Sequence, residues 1–297
     1  MDQQTWLNER FEENRARLHA VAYRMLGSLS EAEDAVQEAW LRLNRIDSNT
    51  IENLRGWLTT VVSRVCLDML RSRKLRREEP IEQRTEPSGV LRKDADPEGE
   101  AMLADSVGVA LLVVLDTLTP AERLVFVLHD LFAMTFDEIG PIVKRSPAAT
   151  KQLASRARRR VRGSPTSSNA NRARQREVVD AFLRAAREGD LEGLLAVLDP
   201  EAIIHIEAAA RIDAPPEEKG KARELKGAAT WAKQFIALAR GFRFVQPALI
   251  DGSPGLIFAP QGKLSKTMIF TLANAKVTRV EVVADPARLR AFDVAML

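Results

Sequence analysis

Apolar positions along the first quarter of the chain recur three and four residues apart, and no stretch there alternates apolar and polar residues as a strand does. This spacing predicts three helices within residues 1–77. Ser30 and Glu33 are three residues apart, as in a capping box, and predict that the second helix begins there. The third helix begins near Leu54 and is apolar early and basic late. We therefore predict an all-helical domain over residues 1–77.

The helical pattern stops over residues 78–99, where three prolines, two glycines and many charges leave little apolar surface to bury, which predicts a linker. Helical spacing returns over residues 100–163, with three helix starts that each combine a capping side chain with a glutamate or a first-turn proline. These starts are Thr119 with Pro120 and Glu122, Thr135 with Glu138, and Ser146 with Pro147. We predict a second all-helical domain over residues 100–163.

The periodicity changes after a second predicted linker, residues 164–171. A helix that ends near Gly189 and a short helix after it are followed by apolar runs separated by Gly, Pro, Asn and Asp, and such runs are typical of strands. The predicted strands are residues 201–207, 242–250, 255–260, 265–273 and 276–283. Residues 172–297 are therefore predicted to form a separate α+β domain.

Composition narrows the class of protein. The 44 Lys and Arg nearly balance the 41 Asp and Glu, so any basic surface has to be local. The single cysteine, Cys66, excludes a disulfide within the chain, and the three histidines, His19, His129 and His205, lie in different domains, so we expect no metal site. No segment has the roughly twenty apolar residues of a membrane span. We expect a cytoplasmic protein that uses no cofactor.

The most basic stretch runs from Lys144 to Arg162 and holds eight Lys and Arg but no Asp or Glu. Its spacing predicts two short helices joined by a turn, the second with Ala149, Leu153 and Ala157 packed and a basic face free. This layout predicts a helix-turn-helix that enters the DNA major groove. The residues expected on DNA are Lys144, Arg145, Ala148, Lys151, Gln152, Ser155, Arg156, Arg158 and Arg159. A surface helix with solvated arginines is the alternative.

The third helix of the first domain is also rich in cations, which are able to neutralise DNA phosphates. The polar loop before it, residues 44–53, has amide side chains that are able to hydrogen-bond an unstacked base. The candidate DNA contacts of this region are Asn44, Asn49, Asn53, Arg55, Arg64, Arg71 and Lys74. A solvated basic helix and an ordinary helix connection are the alternatives.

These segments resemble the extracytoplasmic-function (ECF) sigma factors of bacterial RNA polymerase. AYRMLGSLSEAEDAVQEAWLRL and LRGWLTTVVSRVCLDMLRSRKLRR are similar to region 2 of that family, and LDTLTPAERLVFVLHDLFAMTFDEIGPIVKRSPAATKQLASRARRRVR is similar to region 4. The resemblance implies that Asp34, Gln37 and Glu38 dock on core RNA polymerase. It also implies that region 2 reads and opens the −10 promoter element and that residues 144–162 read the −35 element. Polymerase, and not this chain, would then do the chemistry.

Residues 172–297 are similar to the SnoaL-like extension of one branch of these sigma factors. REGDLEGLLAVLDPEAIIHIE and RVEVVADPARL carry the likeness. It implies a cone of helices and a curved mixed or antiparallel sheet, and a regulatory role exercised by contact with the helical domains or a linker. The glycine-rich DGGGK stretch usual in that branch is absent, and Asp285 to Leu289 replace its NPDKL ending.

A cone of this kind is able to enclose a ligand. His205, Glu207 and Trp231 are expected to line such a pocket, although a histidine within an apolar strand is more often a partnered wall residue than a base. Two functions therefore stay open. One is a promoter-recognition factor with a regulatory extension, and the other is a DNA-binding regulator whose extension binds or converts a small molecule.

Overall fold

The computed structural model describes residues 3–46, 51, 53–78, 106–163, 169–210, 220–237, 242 and 244–297. These residues belong to two compact units, the first of residues 1–103 and 118–158 and the second of residues 104–117 and 159–297. Within the described ranges no helix is both long and apolar enough to cross a membrane. The predicted linkers, residues 78–99 and 164–171, lie mostly outside the described residues.

The described part of the first unit is helical. The helices in chain order are α1 (Gln3–Leu26), α2 (Leu29–Leu43), α3 (Leu54–Glu78), α4 (Ser106–Asp116), α5 (Pro120–Phe126), α6 (Phe136–Val143) and α7 (Pro147–Arg162). Of these, α4 and the last turn of α7 belong to the second unit. Helices α1, α2 and α3 pack on one another through buried residues that include Met25, Leu43 and Leu58. The prediction of helical domains before the α+β domain is confirmed.

Local capping decides where the helices of the second helical segment begin. The Thr119 hydroxyl accepts the backbone N–H of Glu122, whose carboxylate accepts the N–H of Thr119 in return. Thr135 and Glu138 form the same reciprocal pair at the start of α6. Both predicted capping boxes are confirmed, and α7 begins at Pro147 as predicted.

Helix α2 begins two residues earlier than predicted. Its N-cap is Ser28, whose hydroxyl accepts the N–H of Glu31, so the predicted capping box of Ser30 and Glu33 is wrong. Glu33 instead binds Arg15 of α1, with 2.5 Å between the two side chains. An ion pair between two helices has therefore taken the carboxylate that the local motif would have used.

A buried arginine joins α5 to the C-terminal end of α1. Arg123 is 3% exposed, and its Nε and Nη2 atoms donate to the carbonyl oxygen of Arg24 at 3.2 and 3.1 Å. Arg24 lies in the last turn of α1, where carbonyl groups have no partner within the helix. The guanidinium group therefore caps α1 from a segment 99 residues away in sequence.

The described part of the second unit is an α+β fold with a mixed sheet, which confirms the predicted fold class. Its strands are β1 (Leu198–Ile206), β2 (Arg223–Lys226), β3 (Val245–Ile250), β4 (Ser253–Phe258), β5 (Lys266–Ala273), β6 (Lys276–Val283) and β7 (Val294–Ala295). The sheet order is β2-β1-β6-β5-β4-β3-β7, with β1 and β6 parallel and the other neighbours antiparallel. The edge strands β2 and β7 are absent from the prediction because they are short, and β2 has a single apolar residue.

Aromatic side chains fill the core between the sheet and its helices. The helices of this unit after α7 are α8 (Asn169–Glu188), α9 (Leu191–Val197), α10 (Ala228–Ala237) and α11 (Pro286–Ala291). The Phe182 ring lies 5.2 to 6.5 Å, centroid to centroid, from the rings of Trp231, Phe235, Phe242 and Phe270. All five side chains are buried, so the interior is occupied by rings in tilted and edge contact.

Helix α4 packs against the sheet of the second unit. It contacts β3, β7 and the 3-10 turn Pro260–Gly262. Leu112 lies so close to Gly262 that a Cβ at that glycine would come within 3.0 Å of the leucine side chain. The stretch predicted as one helical domain, residues 100–163, is therefore shared between the two units.

Candidate nucleic-acid interface

A tight turn sets the angle between α6 and α7. Lys144 ends α6 in the left-handed region (φ 58°), and the N–H of Arg145 donates to the carbonyl of Gly140 at 2.9 Å. A Cβ at Gly140 would lie 2.7 Å from the Arg145 carbonyl oxygen, so glycine is required there. The Thr150 hydroxyl donates to the Ser146 carbonyl at 2.9 Å and secures the first turn of α7. This is the predicted helix-turn-helix.

The packed face of α7 consists of small side chains. Thr150, Ala154 and Ala157 have no exposed surface. Ala157 was predicted on this face, whereas Ala149 and Leu153 lie half-buried at its edge. The packed face is therefore rotated by part of a turn from the predicted one, toward Thr150 and Ala154.

The opposite face of α7 and the turn before it are exposed and cationic. The exposed residues are Lys144, Arg145, Ala148, Lys151, Gln152, Ser155, Arg156 and Arg159. Among the residues that the structure describes, none of the cations in that set is held in an ion pair. A surface of this kind, without acidic side chains, is complementary to a row of phosphates.

Arg158 differs from the other predicted DNA contacts. Its Nε lies 2.6 Å from Oδ1 of Asp130, and its side chain is 37% exposed. Asp130 belongs to the π-helical turn Val127–Leu131, where Nδ1 of His129 lies 2.8 Å from the Met134 carbonyl oxygen. The ion pair therefore ties α7 to the π turn, which the sequence pattern does not reveal because a π turn has no periodic signature.

The predicted −10 cations of α3 do not share one face. Arg64 and Arg71 are exposed on the same stripe, with Asp68 between them and 3.6 Å from Arg71. Arg55 lies about 180° around the helix axis from Arg64 at 3.6 residues per turn. Burial and the neighbouring Arg55 both lower the pKa of Arg17, which places Arg55 beside α1. Of the predicted α3 cations whose side chains the structure describes, Arg64 and Arg71 therefore share a face and Arg55 does not.

The two described asparagines of the polar loop cap helices. The Asn44 amide donates to a carbonyl in the last turn of α2 at 3.2 Å, and Asn53 accepts the N–H of Gly56 at 2.9 Å. Both are exposed. Asn49 and the Lys74 side chain lie outside the described part of the chain. For the described positions, helix capping accounts for the asparagines without a bound base.

The predicted polymerase contacts lie on the outer face of α2. Asp34 and Gln37 are exposed, whereas Glu38 binds Arg42 of its own helix at 2.8 Å. Leu41, which the sequence analysis does not single out, is 43% exposed on the same helix. Single exposed leucines are common on protein surfaces, so Leu41 supports a protein contact only together with the polar side chains around it.

The predicted ligand pocket does not form from the residues named for it. Trp231 has no exposed surface, and its Nε1 donates to the Ala202 carbonyl at 3.3 Å within the aromatic core. His205 and Glu207 alternate along β1 with isoleucines that face this core, so their side chains leave the other face of the sheet. His205 and Glu207 therefore do not line a common cavity with Trp231.

Glu207 has a structural role at the end of β1. Its carboxylate accepts the N–H groups of Ala284 and Asp285 at 2.8 and 3.0 Å and pairs with Arg288, which also binds Glu281 at 2.9 Å. Burial by itself would raise the pKa of Glu207, but these N–H groups and the guanidinium outweigh it and hold the pKa below its ordinary value. Such a carboxylate is poorly suited to act as a base.

Comparison with known proteins relates the whole chain to transcription factors of one kind. Residues 10–76 match the model of Sigma-70 region 2, and residues 108–161 match that of Sigma-70, region 4. The Mycobacterium tuberculosis protein "Probable ECF RNA polymerase sigma factor SigI" is 33% identical over 97% of this chain and 97% of its own length. SigJ of the same organism, an ECF RNA polymerase sigma factor, is 43% identical over 64% of this chain and 62% of its own. The crystal structure of M. tuberculosis SigJ covers 94% of this chain and 97% of its own, at 32% identity and a TM-score of 0.44.

Proposed function

This chain belongs to the ECF RNA polymerase sigma factors, and we propose that its two basic helical surfaces bind one promoter while core RNA polymerase is held beside them. In this proposal the polymerase does the chemistry, and the chain is neither an enzyme nor dependent on a cofactor. Its place of action is then the cytoplasm, where bacterial polymerase and DNA meet.

The exposed face of α7 is the observation that carries the proposal. Its first turns present small and polar side chains, which suit base edges in a major groove, and we assign that contact to Lys151, Gln152 and Ser155. Arg156 and Arg159 are exposed further along the same face, and we assign them to phosphates. The solvated-helix alternative has less support, because a helix-turn-helix with an acid-free outer face matches the requirements of groove binding at each step.

We assign polymerase binding and the −10 element to the first three helices. The outer face of α2 offers Asp34 and Gln37 to a basic partner and Leu41 to an apolar one. The Arg64 and Arg71 stripe on α3 supplies phosphate contacts near the −10 element.

Binding both promoter elements requires the first unit to open. The −10 and −35 elements are about 25 base pairs apart, which is roughly 85 Å at 3.4 Å per base pair. A compact unit of about 140 residues is roughly 40 Å across. We propose that the Arg123 contact with α1 breaks when the chain spans the promoter, so that the described arrangement is the closed one.

We assign a regulatory role to the C-terminal domain through α4. The second unit holds α4 against β3 and β7, although the chain matches region 4 from residue 108 onward. A C-terminal domain that holds one helix of region 4 is able to favour one arrangement of region 4 over another. The alternative, a domain that converts a ligand, has less support because His205 and Glu207 face away from Trp231.

Transcription with purified core polymerase tests the central proposal. Genomic fragments captured by the polymerase–chain complex serve as templates, and we expect specific initiation that depends on this chain. Arg156→Gln is expected to weaken initiation severalfold, whereas Arg290→Gln, at an exposed arginine on α11, is expected to have no effect. No initiation above core polymerase alone would contradict the proposal.

A single substitution tests the regulatory role. Leu112→Asp places a charge in the contact of α4 with Gly262 and is expected to release α4 from the sheet. We expect initiation by this variant to match that of a chain ending at Gly163, and both to differ from the intact chain. If both variants initiate transcription as the intact chain does, the regulatory role is wrong, whereas the proposed promoter recognition is unaffected.

A further inference from the structure

The π-helical turn Val127–Leu131 fixes the backbone around Asp130. The N–H groups of Ala133 and Met134 donate to carbonyl oxygens of this turn at 3.1 and 2.9 Å. Both hydrogen bonds close a loop of backbone that contains Asp130. Because its flanking backbone groups are paired, the carboxylate projects from a well-defined point of the first unit.

An aromatic contact ties the same turn to the start of α6. The His129 ring lies 4.0 Å, centroid to centroid, from the ring of Phe136, with 28° between the ring planes. Phe136 is the first residue of α6, which the reciprocal caps of Thr135 and Glu138 hold at its start. Asp130 is thus fixed relative to the first helix of the helix-turn-helix, independently of α7.

Arg158 connects α7 to this fixed carboxylate. Its Nε lies 2.6 Å from Oδ1 of Asp130, which makes a short charge-assisted hydrogen bond, and the two side chains are 37% and 22% exposed. The turn at residues 144–146 holds α7 at its start, and the ion pair holds it about three turns further along. A helix held at two points does not pivot, so its exposed face meets a DNA groove at one angle.

Arg158 lies at the edge of the cationic face of α7. It follows Lys151 by seven residues, so at about 100° per residue the two side chains leave the helix about 20° apart. A guanidinium group released from Asp130 is therefore able to turn toward the phosphates that Lys151 faces. Asp130 thus decides whether this cation joins the DNA-facing surface.

We propose that Asp130 is a positioning residue for promoter recognition, which holds α7 at a fixed angle and keeps Arg158 off the DNA backbone. This inference rests on the proposed DNA binding by α7. Contacts with base edges need a fixed angle, whereas phosphate contacts are made on any sequence. Loss of Asp130 therefore weakens the contacts that select a promoter and adds a contact that every duplex offers.

The ion pair is expected to persist when DNA is bound. Departure of Arg158 would leave the mostly covered Asp130 carboxylate without its cation, which carries a desolvation cost. The bare carboxylate would also lie at the edge of a surface occupied by phosphates, and charges of the same sign repel. Both costs oppose the transfer of Arg158 to DNA while Asp130 is present.

Salt dependence of DNA binding tests the withheld contact. The probe is a fluorescein-labelled duplex of mixed sequence, about 30 base pairs or three helical turns long, titrated with the full chain between about 50 and 200 mM salt. One added phosphate contact steepens the slope of log K against log salt by about 0.9, which corresponds to about fivefold stronger binding at about 150 mM salt. We expect this change for Asp130→Ala, and the wild-type slope for Arg158→Gln and for the double variant.

Promoter preference tests the fixed angle. The polymerase–chain complex is titrated with a genomic fragment that it captures and with the mixed duplex, and the ratio of the two affinities is compared between variants. We expect the ratio to fall severalfold in Asp130→Ala and in Arg158→Gln, because each breaks the ion pair. Asp130→Glu keeps a carboxylate for Arg158 and is expected to retain both the wild-type ratio and the wild-type slope.

Two further variants serve as controls. Asp137→Ala removes one exposed negative charge from α6 without releasing a cation and is expected to keep the wild-type slope. A slope as steep as that of Asp130→Ala would show that total charge determines binding and would overturn the inference. Arg156→Gln removes a proposed phosphate contact and is expected to lower the slope by about 0.9.

Failure of the inference and failure of the proposed function give different results. A wild-type slope for Asp130→Ala, or a lowered slope for Arg158→Gln, would overturn the inference while a lowered slope for Arg156→Gln leaves the proposed function intact. An unchanged affinity ratio in both ion-pair variants would likewise overturn the positioning role. A wild-type slope for Arg156→Gln would overturn the proposed DNA binding by α7 and the inference with it.

Discussion

Replacing Arg123 by methionine tests whether the buried guanidinium holds the two helical segments of the first unit together. The side chain is 3% exposed and donates twice to the Arg24 carbonyl at the end of α1. Methionine is similar in length and apolar, so it fills most of the volume but donates no hydrogen bond. The Arg24 carbonyl then loses its donors in a place that water reaches poorly.

The expected change in the free energy of unfolding is the balance of two opposing effects. A buried acceptor left without a donor costs about 1–3 kcal/mol, and hydrogen bonds from a charged donor contribute about 1.5–3 kcal/mol. Removing the buried cation also removes its desolvation penalty, and this offsets part of the loss of stability. We expect a net loss of about 2 kcal/mol in the free energy of unfolding, which lowers the Tm of a unit of this size by roughly 8 °C.

Calorimetry and hydrogen exchange on the full chain check this expectation. We expect a lower Tm for the transition of the first unit and faster exchange of the Gly27 amide, which donates to the Tyr23 carbonyl at the end of α1. Arg10→Gln is the control, since Arg10 forms an exposed ion pair with Glu13 on α1 and its loss costs little. An unchanged Tm together with unchanged exchange at Gly27 in Arg123→Met would refute the assigned capping role.

Three further outcomes are expected. Glu207→Gln should destabilise the second unit by about 1–2 kcal/mol at neutral pH, and urea unfolding at several pH values should show the difference shrinking in acid. The sign follows because the pKa of Glu207 is depressed in the folded chain, so the stability it provides is present above the ordinary carboxyl pKa and disappears as pH falls through the folded value. Thr135→Ala should cost about 1 kcal/mol by removing the cap of α6, measured by the same unfolding assay, whereas Ser30→Ala should have little effect. Cys66, with no exposed surface and a pKa raised to about 12 by burial, should react with a thiol reagent at neutral pH only after unfolding, and rapid labelling of the native chain would contradict its placement.

Elements defined by local chemistry were predictable from the sequence. The caps at Thr119 and Thr135 use residues three positions apart, and the strands from 245 to 283 are segments rich in apolar residues between turn residues. The exposed cations of α7 were predictable for the same reason, because helical periodicity alone separates Lys151 and Arg156 from the packed face.

Contacts between residues distant in sequence account for the predictions that the structure corrected and for the residues that the sequence analysis missed. Arg15 takes the carboxylate of Glu33 from its predicted cap, Asp130 takes Arg158 from the predicted DNA surface, and Arg123 reaches a carbonyl 99 residues away. Which face of the sheet each β1 side chain lies on also depends on residues distant in sequence. The period-two rule predicts that His205 and Glu207 share a side, but only the packing of the sheet decides that this side is opposite to Trp231.

The sequence by itself determined the order of helical and α+β segments, the helix-turn-helix and the place of the acid-free basic stretch, because each depends on residues within a few positions of one another. Only the tertiary structure decided that α4 and the end of α7 pack with the C-terminal sheet, and which charged side chains are already used inside the protein. Apolar surface and charge are non-directional, so a pattern shows that a side chain needs a partner, whereas the folded chain alone selects which partner it meets.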